Sequence, residues 1–169
     1  MAKTSKDEKT EDATKILMTQ HREVEAFFEE LEDGNPKMST MKKLANSLAL
    51  HMTLEERIFY PASNEDETEG QLREGVEEHL AAKRTLADLL AMKPKDPQFR
   101  AKVAVLKEQV LHHVKEEEKE LFPKVRKLLG KERLAELGDE MRMLASKLGR
   151  TKKNVGKQLS SQTDHAASL

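Results

Sequence analysis

Four apolar stripes, each carrying one histidine, constrain the fold of this chain more than any other feature. The first is Thr14, Leu17, His21, Val24, Phe28 and Leu31, with steps alternating between three and four residues. That spacing is the seam of a helix packed in a bundle. The second is Met41, Leu44, Leu48, His51, Glu55 and Ile58; the third is Leu72, Val76, His79, Lys83, Leu86 and Leu90. The fourth is Val103, Leu106, Val110, His113, Glu117 and Leu121. Between them lie Asp33-Gly34-Asn35-Pro36, a polar connector from Ser63 to Gly70, and Pro94-Lys95-Asp96-Pro97, all of them stop or turn signals.

Gly130 ends the fourth stripe, and Leu134, Leu137, Met141, Leu144 and Leu148 predict a shorter fifth helix. With 37% hydrophobic and 36% charged residues, seven Gly and no Trp, the interior must be built from narrow stripes rather than strands. The expected fold is all-α: an up-down-up-down antiparallel four-helix bundle with a short additional C-terminal helix. The chain divides into a disordered lead over 1–11, the bundle over 12–130, an accessory helix over 131–148 and a flexible basic tail over 149–169.

The absence of cysteine removes disulfides, thiolate metal sites and cysteine nucleophiles. A net charge of -1 argues against nucleic acid as a partner. The uncharged run from Leu44 to Leu54 is about half of what a bilayer span requires, and the charged start lacks a signal-peptide core. The expectation is a cytoplasmic protein without membrane contact.

The seam histidines share one level. In an antiparallel hairpin, residues equidistant from the turn lie at equal height. The midpoint of His21 and His51 is residue 36, that of His51 and His79 is 65, and that of His79 and His113 is 96. All three midpoints fall in the turns identified above. Four imidazoles buried in one layer without partners would be costly, and a metal removes that cost.

Glu55 follows His51 by four residues, and Glu117 follows His113 by four. In a helix this puts both side chains on one face, about 6 Å apart. His21 with Glu25 and His112 with Glu116 share the spacing, but Glu25 and His112 lie off the stripes and read as solvated. Helices two and four repeat each other at an offset of 62: Leu44 matches Leu106, His51 His113, Glu55 Glu117, Tyr60 Phe122 and Pro61 Pro123. Such a pseudo-twofold set suits two metal ions, each taking two imidazoles, with Glu55 and Glu117 bridging. Imidazole with carboxylate favours Fe, Zn or Mn over Ca or Mg. No Glu-x-x-His occurs in the chain, which excludes the ferritin-like arrangement, and no His-Glu-x-x-His occurs either.

The pattern His21 … His51-x-x-x-Glu55-Glu56-x-x-x-Tyr60-Pro61 … His79 … His113-x-x-x-Glu117-Glu118-x-x-x-Phe122-Pro123 resembles the hemerythrin-like, or HHE cation-binding, domain over roughly residues 12 to 130. The resemblance implies two Fe ions with an oxo or hydroxo bridge, and ligand roles for His21, His51, Glu55, His79, His113 and Glu117. It implies a gas or peroxide ligand: dioxygen, nitric oxide or peroxide. Oxygen-carrying members have a His-x-x-x-His pair on the third helix; here Lys83 lies four residues after His79 and Gly75 four before it. A catalase-like or peroxide-reducing enzyme at the same site, or an iron- or oxygen-sensing interaction module, are the alternatives. Reflection about the same midpoints puts Gly75 at the level of the carboxylates, either for tight helix contact or to leave space beside the metals.

Overall fold

The computed structural model describes residues 11–150, 159 and 162–169, and among these every regular element is helical. Helix α1 (Ala13–Glu32) starts at Asp12, whose carboxylate accepts from the Lys15 amide at 3.1 Å and the Thr14 hydroxyl at 2.6 Å. This satisfies amide groups that a helix start leaves free. Helix α2 (Met38–Leu54) passes without a break into a π-helical turn, π1 (Glu55–Phe59), and a last turn α3 (Tyr60–Ala62). Helix α4 (Glu69–Ala91) follows the polar connector. Helix α5 (Pro97–Glu116) leads into a second π-helical turn, π2 (Glu117–Leu121), and then α6 (Phe122–Arg150).

Facing segments meet head to tail. Thr40 donates to Glu30 and His51 meets Gln20, so α1 and α2 run in opposite directions. Lys83 reaches Glu56 between α4 and π1, and Lys102 reaches Asp88 between α5 and α4. Lys107 pairs with Glu32 at one end of α1, while Arg126 donates to Thr14 at the other. The apolar stripes form two buried clusters. One centres on Val24, Phe28, Leu44, Leu86, Phe99 and Leu106; the other on Leu17, Leu54, Phe59, Leu72, Phe122 and Met141.

Both π turns are additions to the sequence reading, which continued helices two and four as plain α. In each, the amide of the aromatic residue bonds the carbonyl of the glutamate five residues back: Tyr60 to Glu55, Phe122 to Glu117. Proline follows at once in both, at Pro61 and Pro123. Proline supplies no amide and its ring clashes with the carbonyl four residues earlier, so a widened turn there relieves the clash. Gly130, with φ 72° and ψ 172°, breaks α6 where the fourth stripe was expected to end. Leu134, Leu137 and Met141 beyond it are buried in the same cluster as Ala13 and Leu17.

The C-terminal tail departs from expectation. Leu159 is buried in the first apolar cluster, and Arg84 donates to the carbonyls of Thr163 and Asp164 at 2.9 and 3.2 Å. Ala166, Ala167 and Leu169 pack against the second cluster. Leu159 and two backbone carbonyls that accept from Arg84 thus lie against the bundle. Lys152, Lys153 and Lys157, the basic part of the expected tail, lie outside the described residues, as do 1–10 of the expected lead. No helix among the described residues is long and apolar enough to cross a membrane.

Candidate metal centre

Between the two apolar clusters lies one polar layer made by the six residues read from the sequence. His21, His51, His79, His113, Glu55 and Glu117 are all buried, from 0% exposed at Glu55 to 8% at His113. The layer exists because each stripe substitutes a polar side chain at one level: α1 supplies His21, α2 His51, α4 His79 and α5 His113. The carboxylates come from the first residue of each π turn.

All four imidazoles are oriented alike. Each Nδ1 faces outward to a hydrogen-bond acceptor: Glu118 for His21 at 2.8 Å, Gln20 for His51 at 2.9 Å, Glu56 for His79 at 3.0 Å and Glu78 for His113 at 2.6 Å. A proton fixed on Nδ1 leaves the Nε2 lone pair free, the tautomer a metal-ligating histidine needs. The Nε2 atoms face inward to the two carboxylates. His21 Nε2 lies 3.2 Å from Glu117, and His51 and His79 Nε2 lie 3.3 and 3.2 Å from Glu55. His113 Nε2 is 3.6 Å from Glu117 and 3.2 Å from His79 Nε2.

Among the described residues, the buried side-chain atoms without a hydrogen-bond partner are His21 Nε2, His51 Nε2, both Glu55 oxygens and Glu117 Oε2. Every one belongs to the ligand layer. Unpaired groups of this kind cost several kcal/mol each when buried. The donor atoms fall into two overlapping groups, His21-His51-Glu55-Glu117 and Glu55-His79-His113, each close enough to hold an ion. Orphaned atoms, outward Nδ1 contacts and the shared Glu55 all fit residues that could hold metal cations.

Protonation in the layer is uneven. Burial holds His51 well below the usual imidazole range, and the neighbouring His21 adds to this. Burial lowers His79 too, against an opposing hydrogen bond to Glu56. Burial pushes the Glu55 carboxyl well above its ordinary range, with Glu117 reinforcing it. Burial acts on Glu117 in the same sense, but His113 and His21 outweigh it and hold that carboxyl low.

Tyr60 completes the site and was not singled out by the sequence reading. Its hydroxyl donates to Glu117 Oε1 at 2.9 Å, and its ring stacks on His79 with centroids 5.5 Å apart. A Cβ on Gly75 would sit 2.8 Å from the Tyr60 hydroxyl, so the glycine serves close packing of this phenol. Lys83 neither reaches solvent nor points at the layer. It is 5% exposed and donates to both oxygens of Glu56 at 2.6 and 2.8 Å. It thereby anchors the acceptor of His79. Burial raises Glu56, but the His79 hydrogen bond and the Lys83 ammonium together outweigh it and hold the carboxyl down. Glu25, off the stripe, pairs with Arg22, and the His112 side chain is 62% exposed.

Fold and site together define a helical bundle with a buried histidine and carboxylate cluster able to hold metal cations. The chain belongs to the family of the hemerythrin HHE cation binding domain, whose model matches residues 12–125. A crystal structure of a hemerythrin HHE cation binding domain-containing protein from Mycobacterium kansasii shares the fold. It has a TM-score of 0.73 and 20% identity, with 88% of this chain and 99% of that one covered. A DNA nickase of Nostoc sp. (strain PCC 7120) is 28% identical over 136 residues, 79% of this chain, which spans 39% of that protein's length.

Proposed function

We propose that the protein is a hemerythrin-like, non-heme di-iron protein that binds or reacts with dioxygen, nitric oxide or peroxide. One observation carries the reading: the unpartnered buried atoms all belong to a layer whose imidazoles present Nε2 inward. His21 and His51 would serve one ion, His79 and His113 the other, and Glu55 and Glu117 would bridge them. Iron held there would supply Lewis acidity and one-electron redox chemistry. The head-to-tail contacts support the up-down-up-down order of the four helices.

The surroundings favour a small, uncharged ligand. A cavity of about 30 Å³ adjoins the layer; beside the four histidines, Glu78 and Gln109, its walls are Val24, Leu48, Met52, Ala82, Val110 and Val114. That space holds about two water-sized molecules. Apolar walls let a diatomic gas enter without loss of hydration and disfavour charged species. Tyr60 holds Glu117 by its hydroxyl and keeps a proton beside the layer. Optical spectra of anaerobic, iron-loaded protein before and after oxygen, nitric oxide or peroxide test the reading. Ligand-dependent changes lost in His51→Ala support it; identical spectra under all three oppose it. Oxygen evolution from peroxide above the level of free iron would identify the catalase-like enzyme.

The nickase relative alone favours a second reading, DNA strand scission, against which the net charge of -1 offers little attraction for phosphates. Nicking of supercoiled plasmid by loaded protein, with catalase present to remove stray peroxide, tests it. Nicks abolished in His113→Ala would support scission, and intact plasmid would remove it.

A further inference from the structure

A cleft of about 130 Å³ opens between α4 and the α5–π2 segment and descends to the ligand layer. Its rim carries exposed Glu74 and Glu120 and half-buried Glu116; its throat carries Glu78; its floor is His113 and Glu117. Five carboxylates thus line one passage, graded from solvent to the buried layer, and no lysine or arginine lines it. At the mouth, donor atoms of Glu78, His112 and Glu116 lie within 4.8 Å of one another. At the bottom, Glu117 is 3% exposed and its Oε2 has no hydrogen-bond partner. Glu78 links the two ends, since the carboxylate at the throat also accepts from His113 at 2.6 Å.

We propose that this acidic cleft is the route by which divalent metal cations enter the ligand layer, with Glu74, Glu116 and Glu120 gathering the ion at its mouth. The inference rests on the metal-binding reading above and adds the path to it. A dication crossing bare protein would lose hydration without return, whereas successive carboxylates replace water oxygens step by step. A cleft lined by one sign of charge also concentrates counter-ions and raises association rates, by about ten- to a thousandfold in favourable cases.

Two further openings among the described residues suit a cation less well. The cavity of about 30 Å³ is walled mainly by apolar side chains, with Glu78 its one carboxylate beside the histidines. A larger cleft of about 290 Å³ under the C-terminal residues is lined by Arg57 and Lys83 beside Glu56, Asp164 and His165, and Lys83 already occupies Glu56. The rim carboxylates are not ligands of the buried ions, so they govern how fast metal arrives and leave how much is held unchanged.

The test is stopped-flow uptake of ferrous iron by metal-free full-length protein under anaerobic conditions, followed by total iron at equilibrium. The triple variant Glu74→Gln, Glu116→Gln, Glu120→Gln should take up iron about tenfold more slowly at low ionic strength, as expected when electrostatic steering is removed. Its final iron content and spectrum should equal those of the wild type. Wild-type uptake should slow with added salt, while the variant's should change little. A control with the same charge change elsewhere, Glu23→Gln, Glu29→Gln, Glu132→Gln, should load at the wild-type rate. Equal rates for the cleft variant and the wild type would overturn the route while leaving the site intact. A wild type that retains no iron would overturn the site itself, and the route with it.

Discussion

At the scale of single residues, position on or off the helix seam decides function. His51→Ala and His113→Ala should each lose metal, because each deletes an inward Nε2 that nothing else replaces. His112→Ala and His165→Ala should retain wild-type content, since both side chains lie toward solvent. Metal analysis of the four variants checks this; loss at His112 with retention at His113 would mean a helical register wrong by one. Gly75→Ala should destabilise the fold by about 1–3 kcal/mol, the range for overpacking, because its Cβ meets the Tyr60 hydroxyl. Adding Tyr60→Phe removes the nearest atom and should recover part of that loss in thermal unfolding; no recovery would locate the strain elsewhere.

The six side chains of the buried layer were legible in the sequence because a histidine or glutamate on an apolar stripe stands out. Their outer partners were not. Gln20, Glu56, Glu78 and Glu118 lie off the stripes and look like any solvated residue in a chain with 31 acidic side chains. The adjacent glutamates in the 62-residue repeat were the available signal, since Glu56 and Glu118 occupy equivalent places behind His79 and His21. Tyr60 was hidden for a related reason: its repeat partner is Phe122, so the position reads as core.

At the scale of elements, the π turns and the chain end carry the lessons. A 3.6-residue period cannot show where a turn widens, although the prolines after Tyr60 and Phe122 mark where a plain helix would be strained. Each widened turn begins at a carboxylate of the buried layer, in keeping with the frequency of such turns at functional sites. The basic residues dominated the reading of 149–169, whereas Leu159, the Arg84 contacts to Thr163 and Asp164, and the packing of Ala166, Ala167 and Leu169 lie against the bundle. Leu159→Ala should cost about 2–5 kcal/mol, the usual penalty for a buried leucine. Urea unfolding measures it, and a change below about 0.5 kcal/mol would fit a surface residue and return this stretch to a free tail.

At the scale of the whole molecule, two apolar clusters are held apart by a layer that is costly until filled. A metal held there would couple its binding to folding and add its binding energy to the native state. Chelation should lower the melting temperature of the wild type by several degrees, since about 1 kcal/mol shifts a domain of this size by about 2–4 °C. The same treatment should not move His51→Ala, which has little metal to lose. Equal shifts in both proteins would show that the chelator acts elsewhere.

The central claim is that six side chains hold two metal ions in one layer. Anaerobic titration of metal-free protein with iron-57, read by Mössbauer spectroscopy, tests it most directly. The account predicts saturation at two irons per chain and, after air oxidation, a diamagnetic ground state from coupling between bridged ions. Saturation at one iron, or a second iron whose spectrum shows no coupling to the first, would contradict it.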